Sequence, residues 1–170
     1  MSKSGIELIK GDITSLEIDA IVNAANKTLL GGGGVDGAIH SAAGPELNVE
    51  CEKLNGCETG QSKLTSGYNL KAKYIIHTVG PVWHGGHRDE IQLLTSCYQT
   101  SLAIANEKKF KTIAYPSIST GVYGFPQELA AMIAINETTR FLEKNKYPGR
   151  VIFVTYSDAN YEIYRHLMDR

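Results

Sequence analysis

The chain is 170 residues long and 42% hydrophobic, the length and apolar content of one soluble domain with a core of its own. Its 17 Lys+Arg against 18 Asp+Glu leave a formal charge of −1, so the basic excess of a nucleic-acid binder is missing. No run approaches the roughly 18 apolar residues of a membrane span, and MSKSGIELIKGD lacks the apolar stretch of a secretory signal, so the chain is expected to be cytosolic.

In chain order, Ile6–Ile9 and Ala20–Ala25 (AIVNAA) read as short strands rich in β-branched residues. After the run Gly31–Gly34, VDGAIHSAAG has small-residue helical character, and Pro45 opens a second helical stretch, PELNVECEKLN. Gln61–Ser66 and Lys73–Val79 return to strand character. In Asp89–Phe110 the apolar residues Ile91, Leu94, Tyr98, Leu102 and Ala105 recur at spacings of three and four, which predicts an amphipathic helix. Thr112–Ile118 is a predicted strand, Pro126–Asn145 a helix, Arg150–Tyr156 a buried strand and Ala159–Met168 a closing helix. Strands alternating with helices in this way predict a three-layer α/β/α fold around a largely parallel sheet. The short SLEID segment between the first two strands leaves room for another pairing, so the sheet is expected to be mixed. No linker or repeat divides residues 1–170, which are expected to form a single domain and, by default, a monomer.

Cys51, Cys57 and Cys97 are too few and too irregular for a disulfide framework and read as reduced, partly buried thiols. His84 and His87 sit in a glycine loop, WHGGHRD, with no obvious third ligand, and His77 lies in the apolar run YIIHTV, where a hydrogen-bonded core histidine is expected. Neither a metal nor a cofactor is therefore expected.

Glycine is the informative excess, at 17 residues of 170. Gly31, Gly32, Gly33, Gly34 and Gly37 crowd one strand–helix junction, and Gly121 and Gly124 lie in another. Such junctions present unpaired backbone N–H groups and the positive end of a helix dipole, a setting for phosphate oxygens. Two of them suit a diphosphate, and since neither glycine cluster carries Lys or Arg, backbone amides would do the binding. Gly34 is followed by Val35 and Asp36 rather than Lys-Ser/Thr, which excludes a Walker A loop. Gly32, Gly34 and Gly37 do satisfy GxGxxG, but a dinucleotide fold requires a strand after the helix, and more helix follows. Asp36 in a first helical turn either complements the dipole or, beside phosphates that repel it, faces a sugar hydroxyl or a water. Asn26 is either a turn residue or an amide gripping a ribose.

The segments GDIT (11–14), IVNAAN (21–26), GGGGVDGAIHSAAGP (31–45), HTVGPVW (77–83) and PSISTGVYGFP (116–126), in this order, resemble the macrodomain family, and within it the MacroD-type ADP-ribose-binding hydrolases. The resemblance spans Ile6–Met168 and implies a mixed sheet between helical layers. It also implies that Asp12 accepts from the adenine amino group beside the N–H of Ile13. Gly33, Gly34 and Val35 with Ser119, Thr120, Gly121, Val122 and Tyr123 would cradle the diphosphate. Asn26 and Asp36, the implied catalytic pair, would hold the distal ribose and the reacting water. Tyr123 would close over that ribose, and Tyr156 would pack on the adenine. Two rival readings stand beside these: Asp12 as a turn cap and Tyr156 as a core aromatic.

The implied reaction is hydrolysis of ADP-ribose esters: O-acetyl-ADP-ribose, and mono-ADP-ribose on acidic side chains of proteins. No Ser-His-Asp or Cys-His arrangement points to a covalent intermediate. Asp36 as general base and Asp36 as a mere orienter of the sugar both remain open, as do a non-catalytic ADP-ribose reader and a nicotinamide-dependent oxidoreductase.

Overall fold

The computed structural model describes residues 2–3 and 5–170. In chain order it has β1 (Ser2–Lys3), β2 (Ile6–Lys10), a 3-10 turn (Ile13–Ser15), β3 (Ala20–Ala25), α1 (Gly34–Ala43) and α2 (Glu46–Lys53). Then follow β4 (Ser62–Ser66), β5 (Tyr74–Val79), α3 (Glu90–Glu107), β6 (Thr112–Tyr115), α4 (Gln127–Lys144), β7 (Arg150–Thr155) and α5 (Asp158–Met168).

The strands form one sheet in the order β1-β2-β7-β6-β3-β5-β4. The pairs β2–β7, β7–β6, β6–β3 and β3–β5 are parallel, while β1 and β4 join antiparallel at the two edges. The sheet is mixed, as expected, but for another reason. The first two predicted strands, β2 and β3, are not neighbours at all; the antiparallel pairs come from β4 and from the two-residue β1, which the sequence pattern did not reveal.

Both faces of the sheet are covered, which is why its strands read as nearly continuous apolar runs. Side chains alternate along each strand with period two. Ile113 and Tyr115 of β6 join Leu94, Leu102, Ala131 and Tyr164 in the core under α3, α4 and α5. Ile21, Ile75, Ala114 and Ile152 join Ile39, Leu47 and Cys51 in the core under α1 and α2. Strand β6 ends at Tyr115 rather than Ile118, because Pro116 has no N–H with which to continue the ladder. All three cysteines are free and buried. Among the described residues no helix is long and apolar enough to cross a membrane.

The topology locates the site. From β3 the chain moves through α1 and α2 toward β4 and β5 on one side; from β6 it moves through α4 to β7 on the other. A crevice beyond the carboxyl ends of two strands whose connections diverge is where α/β sheets bind ligands. Here β3 and β6 pair only at Ala20↔Ile113 and Ile21↔Ala114, near their start. The loops that follow them are the two glycine clusters.

Candidate active site

Along the crest of the sheet the strand ends follow one another in spatial order. Asp12 and Ile13 come just after β2, Tyr156 just after β7, Ser119–Tyr123 after β6, and Asn26–Asp36 after β3. The residues the sequence singled out therefore lie on one edge of the sheet, from the 3-10 turn to the N-terminus of α1.

The first loop is folded by Asn26. Its Oδ1 accepts from Thr28 Oγ1 at 2.7 Å and from the Leu29 N–H at 3.1 Å, and its Nδ2 donates to the Gly31 carbonyl at 2.9 Å. Asn26 is thus a turn residue, and its amide also borders Gly32, where a Cβ would lie 3.4 Å from Nδ2. Lys27 belongs to the same loop and turns away, pairing with Glu58 at 4.0 Å. Gly37 has to be glycine: a Cβ there would collide with the Gly32 carbonyl oxygen. The N–H groups of Gly32, Gly33, Gly34, Val35 and Asp36 meet no acceptor among the described residues, as expected for the first turn of a helix.

The second loop is closed by Phe125 N–H donating to Ser119 O at 2.9 Å and Gly124 N–H to Gly121 O at 3.0 Å. Ser119 adopts φ +66°, a left-handed conformation unusual for a residue with a Cβ, and its buried hydroxyl has no partner among the described residues. The N–H groups of Ser119, Thr120, Gly121, Val122 and Tyr123 are likewise without acceptors among the described residues. Two strips of backbone donors without acceptors among the described residues thus follow the neighbouring parallel strands β3 and β6 at one edge of the sheet, and no Lys or Arg stands in either strip. Donors grouped in this way suit an anion with several oxygens.

Asp36 is 6% exposed, and its two oxygens have different surroundings. Oδ1 accepts from Asn23 Nδ2 at 2.8 Å and lies 3.4 Å from His40 Nε2, one helical turn on. Oδ2 faces the glycine loop, 3.2 Å from the position a Cβ on Gly32 would take. One oxygen is held from below and the other is presented beside Asn26. Asn23 and His40 belong to this arrangement and were missed. Asn23 announces itself as the polar residue in an otherwise apolar strand, and His40 as the residue four after Asp36, on the same helical face.

Beneath the site, His40, Cys51 and His77 bring one donor atom each within 4.8 Å of one another. Both ring nitrogens of His77 are already engaged, as expected for a core histidine, by Asn23 at 3.1 Å and Thr65 Oγ1 at 2.9 Å. Burial, with the charges of Glu50 and Asp36, pushes the Cys51 thiol up to about 11, so it stays protonated. At the other end of the crest, Asp12 Oδ1 caps the 3-10 turn, accepting from Thr14 N–H at 2.9 Å and Thr14 Oγ1 at 2.7 Å. The capping reading of Asp12 therefore holds, with Oδ2 left without a partner among the described residues. Tyr156 is 88% exposed, which disposes of the core reading and leaves a ring face available for stacking. Val122 is fully exposed at the rim.

The loop His84–Arg88 is organised by a residue without sequence warning. The Glu90 carboxylate accepts from the N–H groups of His84 at 2.7 Å, Gly86 at 2.9 Å and Arg88 at 2.5 Å. Burial alone would raise its pKa; the backbone donors outweigh that and hold the carboxyl down at about 2. Trp83 N–H in turn donates to Tyr123 O at 2.8 Å, tying this loop to the second strip of donors.

A family profile described as Macro domain matches residues 22–134, the stretch from β3 through both glycine loops into α4. The chain belongs to the macro domain family. A macro domain-containing protein of Methanosarcina mazei is 62% identical over 152 residues, covering 89% of this macro domain and 81% of that protein. Human ADP-ribose glycohydrolase MACROD2 is 51% identical over 169 residues, covering 96% of this chain, which spans only 39% of MACROD2. A Trypanosoma brucei macrodomain solved in complex with ADP-ribose superposes with a TM-score of 0.90 at 44% identity, covering 96% of this chain and 68% of that one. The nicotinamide reading of the glycines falls here too: α1 of this macro domain leads into α2, not into the strand a dinucleotide fold requires.

Proposed function

We propose that this macro domain binds ADP-ribose and hydrolyses its esters, releasing acetate from O-acetyl-ADP-ribose and mono-ADP-ribose from acidic side chains of proteins. The observation that carries the proposal is the buried carboxylate of Asp36 at the end of a strip of N–H groups without acceptors among the described residues, with a second such strip after the neighbouring parallel strand β6. The diphosphate bridges the strips, Gly33, Gly34 and Val35 on one side and Ser119–Tyr123 on the other. The adenine extends toward Asp12, Ile13 and Tyr156. The distal ribose lies by Asn26, Asp36 and Tyr123.

In this reading Asp36 Oδ2 holds the attacking water while Oδ1 is fixed by Asn23. The water oxygen bonds to the ester carbonyl carbon, its proton passes to Oδ2, and the acyl–oxygen bond to the ribose breaks. The ribose oxygen then takes up that proton, leaving the free acid and ADP-ribose. Positioning and preorganised donors supply the rate enhancement.

Calorimetry with ADP-ribose, followed by product release from O-acetyl-ADP-ribose and from a protein modified on glutamate, tests the proposal. Binding accompanied by turnover is expected. Tight binding without turnover of either ester would make the protein a reader, and failure to bind ADP-ribose would overturn both readings.

A further inference from the structure

Behind Asp36 runs a buried chain of hydrogen bonds that crosses three elements. Asn23 of β3 and His77 of β5 are directly opposite in the strand register, and both are 0% exposed. Asn23 Nδ2 contacts Asp36 Oδ1 at 2.8 Å and His77 Nδ1 at 3.1 Å; His77 Nε2 contacts Thr65 Oγ1 of β4 at 2.9 Å. Thr65 Oγ1 donates onward to the Ser66 carbonyl at 3.1 Å.

The donor and acceptor roles follow from the carboxylate at one end. An ionised Asp36 only accepts, so the amide of Asn23 must turn its NH2 group toward it. The second N–H of that group then faces His77 Nδ1, which must be the unprotonated nitrogen. The ring proton therefore sits on Nε2 and is donated to Thr65, whose hydroxyl hydrogen is directed to Ser66. Each donor in the chain then meets an acceptor, while the Asn23 Oδ1 carbonyl is buried without a partner among the described residues. Were Nδ1 protonated, two donors would face each other, and the amide would have to rotate, turning its carbonyl toward Asp36 or abandoning it. Burial, reinforced by the nearby His40, pushes the His77 pKa down to about 3, so the ring is neutral at physiological pH.

We propose that His77, set by Thr65, is a positioning residue for hydrolysis, fixing the Asp36 carboxylate through the amide of Asn23. The inference rests on the hydrolase reading given above. Its structural half, the Nε2–H tautomer, is measurable without substrate. Nitrogen-15 NMR of the histidine rings in the wild-type protein should show one ring with Nδ1 unprotonated and Nε2 protonated, assigned to His77 by its loss in His77→Gln. Thr65→Val removes the acceptor of that proton while keeping the side-chain shape. It should lower kcat on O-acetyl-ADP-ribose about tenfold while KM and the ADP-ribose Kd stay within about twofold, because only the alignment of the reacting carboxylate is disturbed. Thr65→Ser, which restores a hydroxyl, should recover most of the lost rate. A merely structural role would spread the loss over KM and Kd and would not separate valine from serine. An Nδ1–H tautomer, or a Thr65→Val protein as fast as the active wild type, would overturn the positioning role alone. A wild-type protein that binds ADP-ribose but turns over no ester would overturn the hydrolase reading, and the catalytic role of His77 with it.

Discussion

The loop after β3 and the loop after β6 both run from a central strand toward a helix N-terminus, and both expose a strip of backbone donors, yet they differ in what stands behind those donors. Behind the first is a buried polar layer, Asp36, Asn23 and His77 with the half-buried His40, in an otherwise apolar core. In the second, no carboxylate hydrogen-bonds to Ser119–Tyr123 among the described residues; Ser119 is strained at φ +66° and sits where Gly80 has no side chain, since a Cβ there would collide with its hydroxyl. Polar groups buried at the cost of desolvation persist where chemistry needs an aligned side chain. Backbone held in an unfavourable conformation suffices where only N–H direction matters. The first loop reads as the reacting side of the crevice and the second as the gripping side.

That division is open to direct attack. The largest effect is expected on the gripping side. At Gly121 a Cβ meets no atom within 4 Å, so Gly121→Glu should fold normally, yet its charge would stand beside the diphosphate. ADP-ribose affinity measured by calorimetry should fall at least about a hundredfold. Asp36→Ala should do the reverse, lowering turnover at least about tenfold while ADP-ribose still binds; an unchanged rate would remove Asp36 from the reaction. Gly37→Ala probes the geometry of the reacting loop. The collision with Gly32 O should cost about 1–3 kcal/mol in denaturant unfolding and lower kcat as the loop shifts. Tyr156→Ala, at an exposed position, should leave stability unchanged and weaken ADP-ribose binding by about 1 kcal/mol.

The third loop, His84–Arg88, gives the comparison a pH test. The Glu90 carboxyl is held at about 2 against an ordinary 4.5, so the folded state binds its proton less readily than the unfolded chain. Its contribution to stability is fully present above pH 4.5 and is lost as the pH falls toward 2. The stability gap between wild type and Glu90→Gln should therefore be wide at neutral pH and shrink across that window. A gap constant with pH would mean that the three backbone donors do not favour the ionised form.

The helices and central strands were legible because periodicity survives in a sequence. The run AIVNAA is apolar since both sheet faces are covered, and Ala20–Ala25 forms a strand over those same residues. The glycine clusters were legible because few other residues tolerate close approach or an exposed N–H strip. What escaped depends on which strands are neighbours. Asn23 and His77 look like two isolated polar residues until the β3–β5 register sets them opposite each other. Glu90 looks like an ordinary first-turn acid until the preceding loop folds back over it. Strand β1, two residues long, is too short to carry any period.

A crystal structure with ADP-ribose bound tests the central claim most directly. The account predicts diphosphate oxygens within about 3 Å of N–H groups from both strips, Gly33–Val35 and Ser119–Tyr123, with the distal ribose against Asp36 and no Lys or Arg touching the phosphates. A nucleotide bound elsewhere on the chain, or one whose phosphates are held by side-chain cations, would contradict it.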